Sequence, residues 1–133
     1  MTFRGWLSAC CVRVVLLGLL VAGFGARAAE DGATEEFYGA IAYSPTNRAH
    51  GWSYDYPSRK DAERRALAQC RQHAEDCIVP VWFRNACGAL AVGSDGYGSG
   101  WGSSRKSAEG QAIQSCRRYS GGCAVIRWVC TTQ

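Results

Sequence analysis

Two glutamates stand at matching places in two similar stretches of this 133-residue chain: Glu63 in Ser58-Arg-Lys-Asp-Ala-Glu and Glu109 in Ser104-Arg-Lys-Ser-Ala-Glu. A pair of partly buried carboxylates can divide the roles of acid and base, the arrangement that cleaves glycosidic bonds. Arg59 and Arg105 lie four residues earlier, so a local ion pair on one helix is the simpler use of the same side chains. His50 and His73 could each act as a base, but no Ser, Cys or Asp stands in a motif relation to either. The chain has no G-x-S-x-G, H-E-x-x-H, P-loop or dinucleotide fingerprint. The run from Gly96 to Gly102 is rich in glycine but is not followed by the G-K-[ST] that cradles phosphate, and it reads as a flexible hairpin.

Aromatic residues are the stronger lead. Trp52, Tyr54 and Tyr56 recur at period two and therefore share one face of a strand. Tyr97 and Trp101 fall in the corresponding stretch of the second half. Ring faces with Arg or Lys nearby bind sugars, peptides or bases, so these five residues are the expected binding surface. Core packing is the competing use of such rings, and Trp82 and Trp128 are assigned to it.

The elements that must position these residues come from a duplication. Ser58-Arg-Lys-Asp-Ala-Glu-Arg-Arg-Ala-Leu-Ala-Gln-Cys70 matches Ser104-Arg-Lys-Ser-Ala-Glu-Gly-Gln-Ala-Ile-Gln-Ser-Cys116 at an offset of 46, and Cys77, Val79 and Trp82 match Cys123, Val125 and Trp128. Upstream the offset is 49: Ala40-Ile41-Ala42 faces Ala89-Leu90-Ala91, and Gly51-Trp52 faces Gly100-Trp101. Residues 37–43 and 50–56 read as strands around a turn at 44–48. Ser58 reads as an N-cap for a helix over 59–72, with Ala62, Ala66, Leu67, Cys70 and His73 on one stripe. Ala108, Ala112, Ile113, Cys116 and Tyr119 repeat that stripe. Residues 78–84 and 124–129 are β-rich, although Pro80 removes a ladder donor from the first. The expected class is α+β: a tandem strand–strand–helix–strand unit, with a mainly antiparallel sheet and both helices on one face. Neither half, at about 47 residues, can bury its apolar face alone, so residues 37–86 and 87–133 are expected to form a single domain around one core.

The first 28 residues read as a secretory signal peptide. Arg4 and Arg13 precede an apolar run over 14–24, and Ala26-Arg27-Ala28 forms the cleavage site. The run is too short for a comfortable bilayer span, so no membrane span is expected after cleavage. An acidic leader, residues 29–36, carries Glu30, Asp31, Glu35 and Glu36 and is expected to be flexible. From residue 37 onward twelve basic side chains face seven acidic ones, a mildly basic domain.

Cys10 and Cys11 leave with the signal, and six of the eight cysteines remain. Export favours disulfides over metal ligation, and there is no C-x-x-C. Cys70 and Cys116 close the helices, and Cys77 and Cys123 follow each by seven residues. Equal spacing makes Cys70–Cys77 and Cys116–Cys123 the first choice among fifteen connectivities, leaving Cys87 with Cys130.

The strings Tyr38-Gly-Ala-Ile-Ala-Tyr-Ser44, Gly51-Trp-Ser-Tyr54, Val81-Trp-Phe-Arg-Asn-Ala-Cys-Gly-Ala-Leu-Ala-Val-Gly93, Gly100-Trp-Gly102 and Trp128-Val-Cys130 resemble a bacterial family of exported proteins, domain of unknown function 4189. The resemblance implies a small exported protein and supplies no catalytic residue. The expected role is therefore a non-enzymatic binding module in the periplasm or medium, a monomer with a protein or cell-envelope glycan as partner and no metal or cofactor. A small hydrolase using Glu63 and Glu109 is the alternative; export disfavours nucleic acid.

Overall fold

Residue size along the central strands decides the architecture. The computed structural model describes residue 32 and residues 34–132. The expected signal peptide and its cleavage site lie outside the described residues. The elements are β1 (Tyr38–Tyr43), β2 (His50–Tyr56), α1 (Arg59–Cys70), β3 (Ile78–Arg84), β4 (Cys87–Val92), β5 (Tyr97–Gly102), α2 (Arg105–Arg117) and β6 (Ala124–Cys130). The strand–strand–helix–strand order thus occurs twice. Each helix starts at a serine whose Oγ accepts from the third residue on, Asp61 N for Ser58 (3.1 Å) and Ser107 N for Ser104 (3.2 Å).

The strands form two antiparallel sheets, ordered β2-β1-β3 and β5-β4-β6. Each central strand has a bulky face and a small one. Ile41 and Tyr43 of β1 meet Leu90 and Val92 of β4 between the sheets, joined by Val81, Phe83 and Val129. Ala40 and Ala42 turn the other way, onto Ala62, Ala66 and Cys70 of α1. Ala89 and Ala91 likewise receive Ala108, Ala112 and Cys116 of α2. The layers run α1, first sheet, second sheet, α2. Where the sequence places both helices on one face of one sheet, the structure has two sheets, each with its own helix on its alanine face. The reason is coverage: each helix shields the alanine face of its central strand and one neighbour, and the bulky faces left bare bury each other.

Phe83 is the centre of that contact. It is 1% exposed, and a Cβ added at Gly39 or Gly88 would lie 2.3 or 2.4 Å from its ring. The ring therefore rests on bare backbone of both central strands.

Helix contact also sets the strand register. A Cβ on Gly51 would fall 2.2 Å from the Ala66 carbonyl oxygen, and one on Gly98 would fall 2.0 Å from the Cys116 amide nitrogen. Gly51 approaches the Cys70 amide in the same way, so Gly51 and Gly98 are structural equivalents. The ladders agree: Ile41 is opposite Trp52, whereas its counterpart Leu90 is opposite Ser99. The match of Gly51-Trp52 with Gly100-Trp101 is therefore corrected: Trp52 corresponds to Ser99, and Trp101 to Tyr54. The glycine-rich run is likewise no flexible hairpin. Gly98, Gly100 and Gly102 alternate along β5 against the backbone of α2 and the side chain of Ser107.

All three expected disulfides are present: Cys70–Cys77, Cys116–Cys123 and Cys87–Cys130. The last joins directly opposed residues of β4 and β6. Pro80 is tolerated because β3 is an edge strand.

Candidate binding groove

Two sheets packed face to face leave two lateral edges, β2 beside β6 and β3 beside β5. Trp52, Tyr54 and Tyr56 lie on β2, while Tyr97 and Trp101 lie on β5. The two aromatic sets therefore sit at opposite edges, and the five residues expected to bind do not form one surface.

At the β2/β6 edge the gap between the sheets is closed, while Trp52, Tyr54 and Tyr56 line a separate cavity of about 420 Å³ with Arg65 and Gln69 of α1. The Arg127 guanidinium stacks 3.8 Å from the Trp52 ring centroid, and its Nη2 lies 3.2 Å from His50 Nε2. Trp52 is half-buried against the inter-sheet core. Past the end of β6, Asp55 accepts hydrogen bonds from the Thr132 amide (2.9 Å) and hydroxyl (2.8 Å). Tyr54 is half exposed, and Tyr56 packs on the α1 cluster. At the far end of β5, Tyr97 packs into the core with its ring 5.0 Å from that of Tyr43. Burial pushes the Tyr43 hydroxyl pKa up, against the opposing charge of Arg48.

The β3/β5 edge is open. The counterpart of Arg127 is Val81, which is buried, and the counterpart of Trp52 is Ser99, whose hydroxyl donates to the Pro80 carbonyl at 3.0 Å. Small side chains here leave a groove of about 320 Å³ lined by Pro80, Val81, Trp82, Phe83, Arg84 and Trp101. Trp101 is 57% exposed and Trp82 37%. Arg84 pairs with Glu36 at 2.8 Å, and Glu36 also accepts from the Tyr38 hydroxyl at 2.7 Å. The last acid of the leader is thus held in place. Sequence reasoning missed Pro80, Trp82 and Arg84 as site residues, although a proline within a strand is itself a sign of an edge.

Trp82 and Trp128 are not core residues; Trp128 is 40% exposed. Both lie on the helix-facing side of an outer strand, but each helix covers chiefly the other two strands of its sheet. An arginine from the first helical turn covers the ring instead: Arg59 lies 4.3 Å from Trp82 and Arg105 lies 4.0 Å from Trp128. The same arginines bind Glu63 at 2.6 Å and Glu109 at 2.8 Å. Each glutamate thus ends a Trp–Arg–Glu stack on its own helix. Paired glycosidase carboxylates lie about 5–9.5 Å apart. These two sit on opposite outer layers, with two sheets between them that stack about 10 Å apart. His73 is exposed, and His50 is engaged with Arg127. Among the described residues, no group of three or more His, Cys, Asp or Glu side chains could hold a metal ion, and no helix is long and apolar enough to cross a membrane.

The family model described as "Domain of unknown function (DUF4189)" matches residues 38–130, from the first strand to the last cysteine. The chain belongs to this family. "Protein Rv1269c" of Mycobacterium tuberculosis and "Protein Mb1300c" of Mycobacterium bovis are each 45% identical over 67 residues, half of this chain. The chain spans about half the length of the relatives it matches, 51% in each case. Among solved structures, the NMR structure of Rv1813c from Mycobacterium tuberculosis is similar, with a TM-score of 0.53 and 32% identity over 71% of this chain and 75% of that one. The family's description and these relatives' names carry no activity. Three disulfides are compatible with export.

Proposed function

We propose that this DUF4189 protein is an exported, non-enzymatic binding module, with the β3/β5 groove as its contact surface and a protein or cell-envelope glycan as its partner. One observation carries the reading: the gap between the sheets is closed by Arg127 over Trp52 at one edge and left open at the β3/β5 edge, which presents two exposed indoles. A large apolar ring left in solvent beside a concave surface is the usual signature of a contact anchor. Trp101 is the principal anchor and Trp82 the second. Of the five aromatics expected to bind, Trp52, Tyr56 and Tyr97 serve the fold, and Tyr54 lies at the far edge. The Arg pairing of Glu63 and Glu109 supports structural roles for both.

The test measures retention of envelope glycan fractions and exported proteins on immobilised mature protein, for wild type, Trp101→Ala and Trp52→Ala. Loss of a hot-spot ring costs about 2 kcal/mol or more, roughly a 30-fold weakening. Trp101→Ala should abolish retention with an unchanged melting transition. Retention that survives in Trp101→Ala and in Trp82→Ala would place the contact surface elsewhere.

A further inference from the structure

The groove carries an indication of what it takes. Arg84 lines it and at the same time holds the Glu36 carboxylate, which the Tyr38 hydroxyl also contacts. A carboxylate therefore already sits at the one cationic residue of the lining. Both partners are half exposed, at 55% and 46%, so this contact can be exchanged. We infer that the β3/β5 groove binds an acidic polysaccharide, with hexose rings stacked on Trp101 and Trp82 and a sugar carboxylate on Arg84 in place of Glu36. This rests on the groove being the contact surface and names the partner's chemistry.

Three observations favour this occupant. Exposed indole faces stack on the apolar faces of sugar rings; Trp101 lines the groove 57% exposed, and Trp82, whose ring carries the Arg59 guanidinium on one side, remains 37% exposed. The edge of β3 is poorly suited to an added peptide strand: Pro80 has no amide hydrogen, and its carbonyl is already taken by Ser99. Recognition must then come from side chains. A nucleic-acid strand would need several cations tracking its phosphates, whereas among the described residues Arg84 is the one cation of the lining, and the neighbouring Arg59 is engaged with Trp82 and Glu63. The leader becomes an internal competitor, because any sugar carboxylate must displace Glu36 from Arg84.

The experiment is calorimetric titration of the mature protein at low salt with oligomers of galacturonate, mannuronate and glucuronate–N-acetylglucosamine, and with their methyl esters as neutral controls. At least one acidic oligomer should bind and its ester should bind tenfold or more weaker. Arg84→Gln should erase that difference, since a hydrogen bond to a charged group is worth roughly a tenfold change or more. Glu36→Gln should strengthen binding about two- to fivefold, the range an exposed ion pair supports. An acidic oligomer that binds as its ester does, or Glu36→Gln with unchanged affinity, overturns the inference while leaving the groove as a contact surface. Binding of no acidic oligomer, or tighter binding of a poly-glutamate peptide, a proline-rich peptide or single-stranded DNA, also overturns it. Acidic binding that survives Trp101→Ala removes the groove itself.

Discussion

Phe83 should couple energetically to Gly88, and the sign of the coupling follows from the geometry. The ring is 1% exposed between the sheets, and its Cδ1 and Cε1 would lie 2.4 and 2.5 Å from a Cβ built on Gly88. Truncation of a buried phenylalanine costs roughly 3–5 kcal/mol, more when the site cannot collapse. This one cannot collapse easily, because its floor is the backbone of Gly39 and Gly88, which have no side chains to move in. Phe83→Ala should therefore lie toward the upper end. At about 4–8 °C per kcal/mol for a domain near 100 residues, the melting temperature falls by roughly 15–40 °C. Gly88→Ala alone forces a methyl into the ring and should cost about 1–3 kcal/mol. In the Phe83→Ala background the three nearest atoms around that methyl are gone. The methyl then fills part of the cavity and recovers about 0.8 kcal/mol. The double variant should thus be more stable than the sum of the singles by roughly 2–4 kcal/mol. Chemical denaturation of the oxidised proteins, followed by circular dichroism, measures all four corners of the cycle. Additivity within about 0.5 kcal/mol would refute the claim that this ring on bare backbone forms the inter-sheet contact.

Three further outcomes are expected. Hydrogen bonds from the hydroxyls of Ser44 and then Thr46 hold the Asp76 carboxyl below the ordinary aspartate range. Its contribution to stability is therefore complete above the ordinary aspartate pKa of about 3.9 and is lost as pH falls through the lower native value; Asp76→Asn should flatten the acid limb of the stability profile, and an unchanged limb counts against the role. The Cys87–Cys130 bridge spans 43 residues against seven for each of the others, so by chain entropy it contributes about 4 kcal/mol and they about 2.4 each. Replacing Cys87 and Cys130 by alanine should lower the denaturation midpoint more than replacing either short pair, and the unreduced exported protein should weigh as a chain starting at Ala29 less six hydrogens.

The repeated element order, the serine caps, the alanine stripes and the disulfide pairing were all legible in the residues. These are local signals: a cap acts over three residues, a stripe over one helix, and a bridge at equal spacing recurs with the unit that carries it. What the residues did not disclose is which faces meet. Alternation shows that β1 has a bulky side and a small side, but only the assembled domain decides that bulky packs on bulky and splits the strands into two sheets. The Trp52 match failed for the same reason. Sequence similarity aligned the two Gly-Trp pairs, whereas register follows the glycines that lie beneath the helix backbone, Gly51 and Gly98. Trp82 and Trp128 look like core residues by composition, and they are exposed because a single helix does not cover the third strand of its sheet. The groove itself is a difference between halves. Arg127 over Trp52 closes one edge, and Val81 near Ser99 leaves the other open. Each of these residues is ordinary in its own strand, and only the packing of the two sheets sets them against each other.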